Sequence, residues 1–319
     1  MRIIHLAQIK EILKSVNILP PIEEGFVAYS QRNTVSPSVG ELVFKNPPGD
    51  VHIKYSYITG DDFYVVKIAS GFYNNPKLNL SSSNGLMLLF DQKTGVLLGV
   101  LLDEGYLTDL RTAAAGAITA KYLAPSIINK IGIVGTGIQA RLQLLFLKKT
   151  IFCRDVVVFG RDHNKLLQFQ IDMKNEGFKI HTTQTLEDLT STCNLIVTTT
   201  SSSLPVLFSN HISAGTHITA VGADGPHKQE LEESIFGVAD VIVADSISQC
   251  IERGDISYAI RKKIIDRNIL IELGDVIAKK YEGRTNDNQI TVADLTGLAV
   301  QDIQIAKTVY NFFIKNEEV

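Results

Sequence analysis

Four apolar residues, Ile131 to Val134, run directly into Gly135-Thr136-Gly137-Ile138-Gln139-Ala140, and no other stretch restricts this chain so tightly. A buried strand has to end there in a tight turn and a helix has to start at once. Gly135 permits the turn, Gly137 lets backbone come close to a bound anion, and Ala140 allows the helix to pack on the strand. With Ile138 and Gln139 in its first turn, that helix aims free N–H groups at the anion. An ordinary strand-to-helix turn could have the same letters, so the context decides. From residue 130 onward, strand patterns at 130–134, 155–159, 195–199, 217–221 and 241–244 alternate with helical patterns at 139–149, 163–176 and 228–236. Such alternation predicts a parallel sheet with helices on both faces, and in that setting the glycine turn reads as a dinucleotide site.

The rest of the chain has another rhythm. Leu6, Ile9, Ile12 and Leu13 fall at helical spacing, and Pro20-Pro21 opens a second helix to about residue 31. Short β-rich runs at 51–58, 63–68, 86–90 and 96–102, punctuated by Gly, Asp, Asn and Ser, predict an antiparallel sheet. Residues 107–123 turn helical, with Thr108 or Asp109 as cap and Pro125 closing the element. A last helix over 295–314, with Leu298, Ile303 and Ile305 to bury, returns to this first region. The expected fold class is therefore α/β: a Rossmann doubly wound parallel sheet, residues 118–296, inserted into an α+β substrate-binding domain made of 1–117 and 297–319. At 319 residues and 45% hydrophobic composition, each domain can bury its own core.

Charge removes several function classes. With 31 Lys and Arg against 34 Asp and Glu, the formal net charge of -3 provides no field to hold nucleic acid or an acidic membrane. Cys153, Cys193 and Cys250 are far apart and odd in number, matching neither a zinc knuckle nor a disulfide framework, so no metal site and a reducing cytoplasm are expected. Residues 1–10 lack the apolar core of a signal peptide, and no stretch approaches the roughly 18 apolar residues of a membrane span.

Which dinucleotide is held depends on the end of the second strand, Gly160-Arg161-Asp162. An acid there would hold the ribose hydroxyls of NAD, whereas Arg161 suits the extra phosphate of NADP, and the reading leans slightly to NADP. Arg161 could equally be a solvated turn residue, with Asp162 capping the next helix. Thr198-Thr199-Thr200-Ser201 ends a strand at the edge where open α/β sheets bind ligands, so Thr199 and Ser201 are candidate ribose contacts.

Three further residues carry candidate chemistry. Lys67 sits inside the apolar run Val66-Lys67-Ile68, where an ammonium is costly unless it meets an anion, in a structural ion pair or in a substrate. Arg111, in Thr108-Asp109-Leu110-Arg111-Thr112, offers a planar fork to a carboxylate or pairs at the surface with Asp109. Asp224 follows a strand in Val221-Gly222-Ala223-Asp224-Gly225-Pro226, placed to exchange protons or to cap a helix.

Together, Val66-Lys67-Ile68, Asp109-Leu110-Arg111-Thr112-Ala113-Ala114, Gly135-Thr136-Gly137-Ile138-Gln139-Ala140, Val221-Gly222-Ala223-Asp224 and Thr296-Gly297-Leu298-Ala299 resemble the ornithine cyclodeaminase and mu-crystallin family over nearly the whole chain. The resemblance implies a homodimer whose outer domain supplies dimer contacts and the substrate site. It also implies that Lys67 and Arg111 bind an α-carboxylate, that Asp224 is the acid/base group, and that Thr112, Val221 and Gly297 border the cofactor, the Gly297 loop closing near the nicotinamide. Two reactions fit: cyclodeamination of ornithine to proline with bound NAD, or reduction of an imino or keto acid. A third possibility is NADPH-dependent ketimine reduction or ligand binding of the mu-crystallin kind. His52 stands where an ornithine-specific member would carry a glutamate, and His52 and Lys54, two apart on a strand, share a face on which they could line a cationic pocket with Lys67. Ser36-Pro37-Ser38 replaces an arginine common in the family. The stretch 51–111 is similar to members linked with ectoine breakdown and iminosuccinate reduction. The expectation is an NAD(P)H-dependent imino-acid reductase or amino-acid dehydrogenase with an aspartate-like substrate.

Overall fold

A computed structural model describes residues 1–72 and 74–317. Its first strands and helices are β1 (Arg2–His5), α1 (Leu6–Ser15), α2 (Leu19–Ser30), β2 (Thr34–Val35), β3 (Gly40–Lys45), β4 (Pro48–Ile58), β5 (Phe63–Phe72), β6 (Ser83–Asp91), β7 (Leu97–Leu102) and α3 (Tyr106–Leu123). The parallel region follows with β8 (Ile131–Val134), α4 (Ile138–Leu147), β9 (Asp155–Phe159), α5 (His163–Asn175), β10 (Lys179–Thr183), α6 (Leu186–Thr190), β11 (Leu195–Thr198) and β12 (His217–Ala220). It continues through α7 (Ser234–Val238), β13 (Val241–Ala244), α8 (Ile247–Arg253), α9 (Ile256–Arg261), β14 (Leu270–Glu272), α10 (Leu273–Ile277) and β15 (Thr291–Asp294), and the chain ends in α11 (Ala299–Glu317). Two units result, Met1–Arg111 with Leu298–Val319, and Thr112–Gly297, the first break falling inside α3.

The first unit is built on a seven-stranded sheet ordered β1-β7-β6-β5-β4-β2, with β3 also paired to β4; β1 runs parallel to β7 and the other pairings are antiparallel. Phe63, Val65 and Lys67 on β5 are buried and alternate with half-buried neighbours, the period-two signature of one covered face. The ladders set Lys54 opposite Lys67, Lys67 opposite Met87, Met87 opposite Leu101 and Leu101 opposite Ile4, so two lysines stand in the same row as the core. Helix α11 packs on β4, β5 and β6, with α2 and α1 against it. Gly25 brings α2 close, since a Cβ there would lie 3.0 Å from Gln304 Cγ, and Gly99 admits the ring of Tyr310 in the same way. On the other face Ile3, Leu42, Phe44, Tyr55 and Tyr57 are exposed, beside half-buried Val66 and Leu88.

The second unit holds an eight-stranded, wholly parallel sheet ordered β10-β9-β8-β11-β12-β15-β13-β14. In order of succession its first five strands stand 3-2-1-4-5, the Rossmann arrangement, with the reversal between β8 and β11. Strands β8, β11, β12, β13 and β15 are buried along their whole length, as expected where helices cover both faces.

Several local expectations change. Strands β10, β14 and β15 fall outside the strand patterns read from sequence; the last two are three and four residues long and end in an acid, too short to display a period. Helix α3 is capped by Asp103, whose Oδ2 accepts the Leu107 amide at 2.8 Å, rather than by Thr108 or Asp109, which lie inside the helix. The helix expected over 228–236 shrinks to α7, because the Glu230 side chain is fully buried and its carbonyl accepts the Val206 and Leu207 amides instead of an i+4 partner. The last helix starts at Ala299, since Gly297 takes φ 78°. Among the described residues no helix is long and apolar enough to cross a membrane.

Candidate active site

Within the first unit, Lys67 on β5 and Arg111 on α3 both turn to Asp302 on α11. Lys67 Nζ lies 3.3 Å from Asp302 Oδ2 and Arg111 Nε lies 3.1 Å from Oδ1, with all three side chains almost wholly buried. The contacts are at ion-pair distance without hydrogen-bond alignment, for Arg111 Nε and both Asp302 oxygens lack a well-directed partner. Gln301 steadies the arrangement: its Oε1 accepts from Arg111 Nη1 at 3.2 Å and from the Leu298 amide at 2.8 Å. Burial pushes the Lys67 ammonium below its usual range; Asp302 opposes that shift and Arg111 adds to it. Two cations share one carboxylate, so this trio keeps one positive charge for an incoming anion.

Lys54 is buried and directly opposite Lys67 in the β4–β5 ladder, on the same face. Two basic side chains therefore share one row of the covered face. His52 lies on that face too, with its Nε2 3.0 Å from Glu41 Oε1 on β3. Sequence reading missed Asp302. Its signal was present: an acid at 302 stands in the helical stripe of Leu298, Ile305 and Val309, all buried.

In the second unit, Gly135, Thr136, Gly137, Arg161, Thr199 and Ser201 line one cavity of about 700 Å³. Gly135 takes φ 122°, and a Cβ on it would lie 2.6 Å from Thr199 Oγ1, so the β8 turn and the β11 loop touch through a missing side chain. At Gly137 a Cβ would meet nothing within 4 Å, and Gly137 caps α4 with no side chain of its own. An open glycine cradle at a helix amino terminus, placed at the strand-order reversal, fits a dinucleotide pyrophosphate. Asp162 caps α5, accepting from the Asn164 and Lys165 amides at 2.9 and 3.1 Å, which commits its carboxylate to the helix. Arg161 remains exposed at the cavity wall.

Asp224 caps no helix. It lies in the loop after β12, with Oδ1 2.7 Å from Lys228 Nζ and a side chain 41% exposed. Val221, at the end of that strand, is buried. The Gly297 turn is held rather than loose: its amide donates to Asp245 Oδ2 at 2.6 Å and its carbonyl accepts from Gln249 at 3.0 Å. Thr112 accepts from Gln143 Nε2 through its carbonyl, and Ile138 and Gln139 occupy the first turn of α4. The structure thus gathers Lys54, Lys67 and Arg111 in one unit and the cavity residues in the other, where Asp224, Val221 and Gly297 follow strands of the same parallel sheet.

The sequence profile of the ornithine cyclodeaminase/mu-crystallin family matches residues 2–317. Among solved structures, an archaeal alanine dehydrogenase dimer with bound NAD aligns over 99% of this chain and 96% of its own, at TM-score 0.90 and 32% identity. The Δ1-pyrroline-2-carboxylate reductase of Thermococcus litoralis, in complex with NADH and L-proline, aligns over 99% and 98% at TM-score 0.92 and 26% identity. The iminosuccinate reductase of Paracoccus denitrificans in complex with NAD+ aligns over 99% and 97% at TM-score 0.87 and 27% identity.

The same sheet buries several carboxyls. Asp255 Oδ1 accepts the Glu230 and Leu231 amides at 2.8 and 3.0 Å, and Asp294 Oδ2 accepts the Ile256 amide at 2.8 Å. The second oxygen of each has no partner. Burial, then the charge of Glu230, raises Asp255 from 3.8 to about 8; burial, then Asp255, pushes Asp294 well up. Between the ordinary carboxyl range and pH 8 the folded chain therefore holds protons that the unfolded chain has released, and stability falls as pH rises through that window. Asp255→Asn should flatten this slope and stabilise the protein at pH 8, where a gain of about 1 kcal/mol raises Tm by roughly 1.5 °C. Thermal melting from pH 5 to pH 9 checks it; a slope unchanged by the substitution would contradict the assignment.

Proposed function

The chain belongs to the ornithine cyclodeaminase/mu-crystallin family, and on that premise we propose that it is an NAD(P)H-dependent imino-acid reductase, running in reverse as an amino-acid dehydrogenase, with an aspartate-like substrate such as iminosuccinate. The observation that carries the reading is the buried pair Lys67 and Arg111 on one carboxylate, Asp302, which leaves a positive charge for a substrate α-carboxylate. When bound, the nicotinamide supplies the hydride. The chain's own residues do the rest. Lys67 and Arg111 hold and orient the carboxylate, and Asp224, kept near Lys228, exchanges a proton with the substrate nitrogen. Thr199 and Ser201 line the cavity in which the dinucleotide would lie.

Lys54 supports the choice of a dicarboxylate. It faces Lys67 from the next strand, which puts a second basic side chain on the face of the carboxylate clamp. The distal ammonium of ornithine would approach that basic row, which disfavours a cyclodeaminase. His52, bound to Glu41, contributes shape more than charge. Asp162 is committed to capping α5, so Arg161 at the cavity wall supports NADPH over NADH. Free Cys153, Cys193 and Cys250 suit a reducing cytoplasm. The exposed apolar face around Ile3, Leu42, Tyr55 and Tyr57 suits a second copy of the chain, in line with the archaeal relative crystallised as a dimer.

In ammonium buffer with reduced cofactor, oxaloacetate should be turned over faster than pyruvate or a cyclic imine. Lys54→Met should raise KM for the dicarboxylate about tenfold while leaving pyruvate unchanged, and Asp224→Asn should lower kcat about 100-fold or more. Equal losses on both substrates would remove Lys54 from specificity, and ornithine turned into proline without net cofactor oxidation would replace the reductase reading. Arg161→Ala should weaken NADPH about tenfold and leave NADH nearly unchanged, as fluorescence titration would read directly. Light scattering should return twice the 35.1 kDa of the chain; a monomer would leave the apolar sheet face unexplained.

A further inference from the structure

Glu230 is fully buried and does not itself line the dinucleotide cavity. Its carboxylate nevertheless joins the two loops that matter most in the second unit. Oε2 accepts from Thr198 Oγ1 at 2.7 Å and from the Gly222 amide at 2.7 Å, while Oε1 accepts the Thr200 amide. Thr198 and Thr200 flank Thr199 in the loop after β11, which lines the dinucleotide cavity. Gly222 opens the loop that carries Asp224. Residues 222–230 thus form a loop whose two ends are bonded to each other by the carboxylate of the last.

Backbone bonds lace the same loops together. The Gln229 amide donates to Ser202 O at 2.8 Å, and Glu230 O accepts the Val206 and Leu207 amides at 2.7 and 3.0 Å. Their approach is so close that a Cβ at Gly222 would overlap the Thr200 carbonyl oxygen and the Glu230 carboxylate. Asp255 fixes Glu230 in turn through the Glu230 amide at 2.8 Å. Three donors on one buried carboxylate form a joint with no slack, because losing the acceptor leaves a buried hydroxyl and two part-buried N–H groups without partners.

We propose that Glu230 is a positioning residue that makes the dinucleotide-binding loop and the Asp224 loop one rigid body, so that order in either is order in both. By reciprocity, a ligand that settles the Thr199 loop also settles Asp224. The inference rests on the reading of the glycine-turn cavity as the dinucleotide site, but the joint itself can be tested without ligand.

Two full-length variants test it. Glu230→Gln keeps the size of the side chain but gives it a donor against three donors. Thr198→Val removes one hydroxyl on β11 and leaves the 222–230 segment untouched. Amide hydrogen exchange should quicken about tenfold at residues 222–225 in both variants, although the Thr198 change lies in another strand. Glu230→Gln should also bind NADH about tenfold more weakly by fluorescence titration, in a protein that still melts cooperatively. Should Glu230→Gln fail to fold, exchange in Thr198→Val decides alone. Faster exchange confined to 198–203, with 222–225 unchanged, would overturn the joint. A wild-type chain that binds neither NADH nor NADPH would overturn the reading of the cavity instead, leaving the exchange result to stand by itself.

Discussion

Two buried cations on one carboxylate set the terms for the first unit. Lys67, Arg111 and Asp302 come from a strand and two helices, and each is almost wholly removed from water. An interior of this kind is poor value for stability, because apolar residues of the same volume would often hold the fold as well, whereas removing one partner of a buried pair costs about 3–5 kcal/mol. Asp302 therefore makes it possible to keep two cations inside the sheet, and its single charge cannot neutralise both. Gln301 points Arg111 through a neutral contact and leaves the sum unchanged. The three side chains together keep one positive charge, and buried Asp103 also acts on Lys67.

The second unit solves the opposite problem with backbone. Arg141 Nη1 donates to the Thr136 and Gly137 carbonyls of the glycine turn; Gly135 gives way to Thr199, Gly137 stands open, and the amino end of α4 supplies the field. Three acids of this unit are buried, where Asp245 holds the Gly297 turn, Asp255 holds the Glu230 backbone, and Glu230 holds two loops. Each carboxylate replaces the water that loop amides would otherwise need. Burial meanwhile holds protons on Asp255 and Asp294 well above the usual carboxyl range.

Much of this was legible from the residues alone. The glycine turn, the alternation after residue 130 and the return of the last helix follow from local patterning, and Lys54 falling on the face of Lys67 follows from the two-residue period of a strand. Contacts made at long range were not. Nothing near His52 announces Glu41, eleven positions earlier on an edge strand. Asp302 lies 191 positions from Arg111, and only its place in an apolar stripe hints at a buried partner. The helix expected over 228–236 begins only at Ser234, because the inward turn of the Glu230 carboxylate overrides local propensity.

The proposed function stands on one step, in which Lys67 and Arg111 hold a carboxylate while the adjacent imine carbon is reduced. Turnover of oxaloacetate and ammonia with dinucleotide deuterated on the transferring face of C4 measures this most directly. The account predicts aspartate heavier by one deuterium, located at Cα. Cofactor oxidised without deuterium in the amino acid, or label found only in malate, would contradict it.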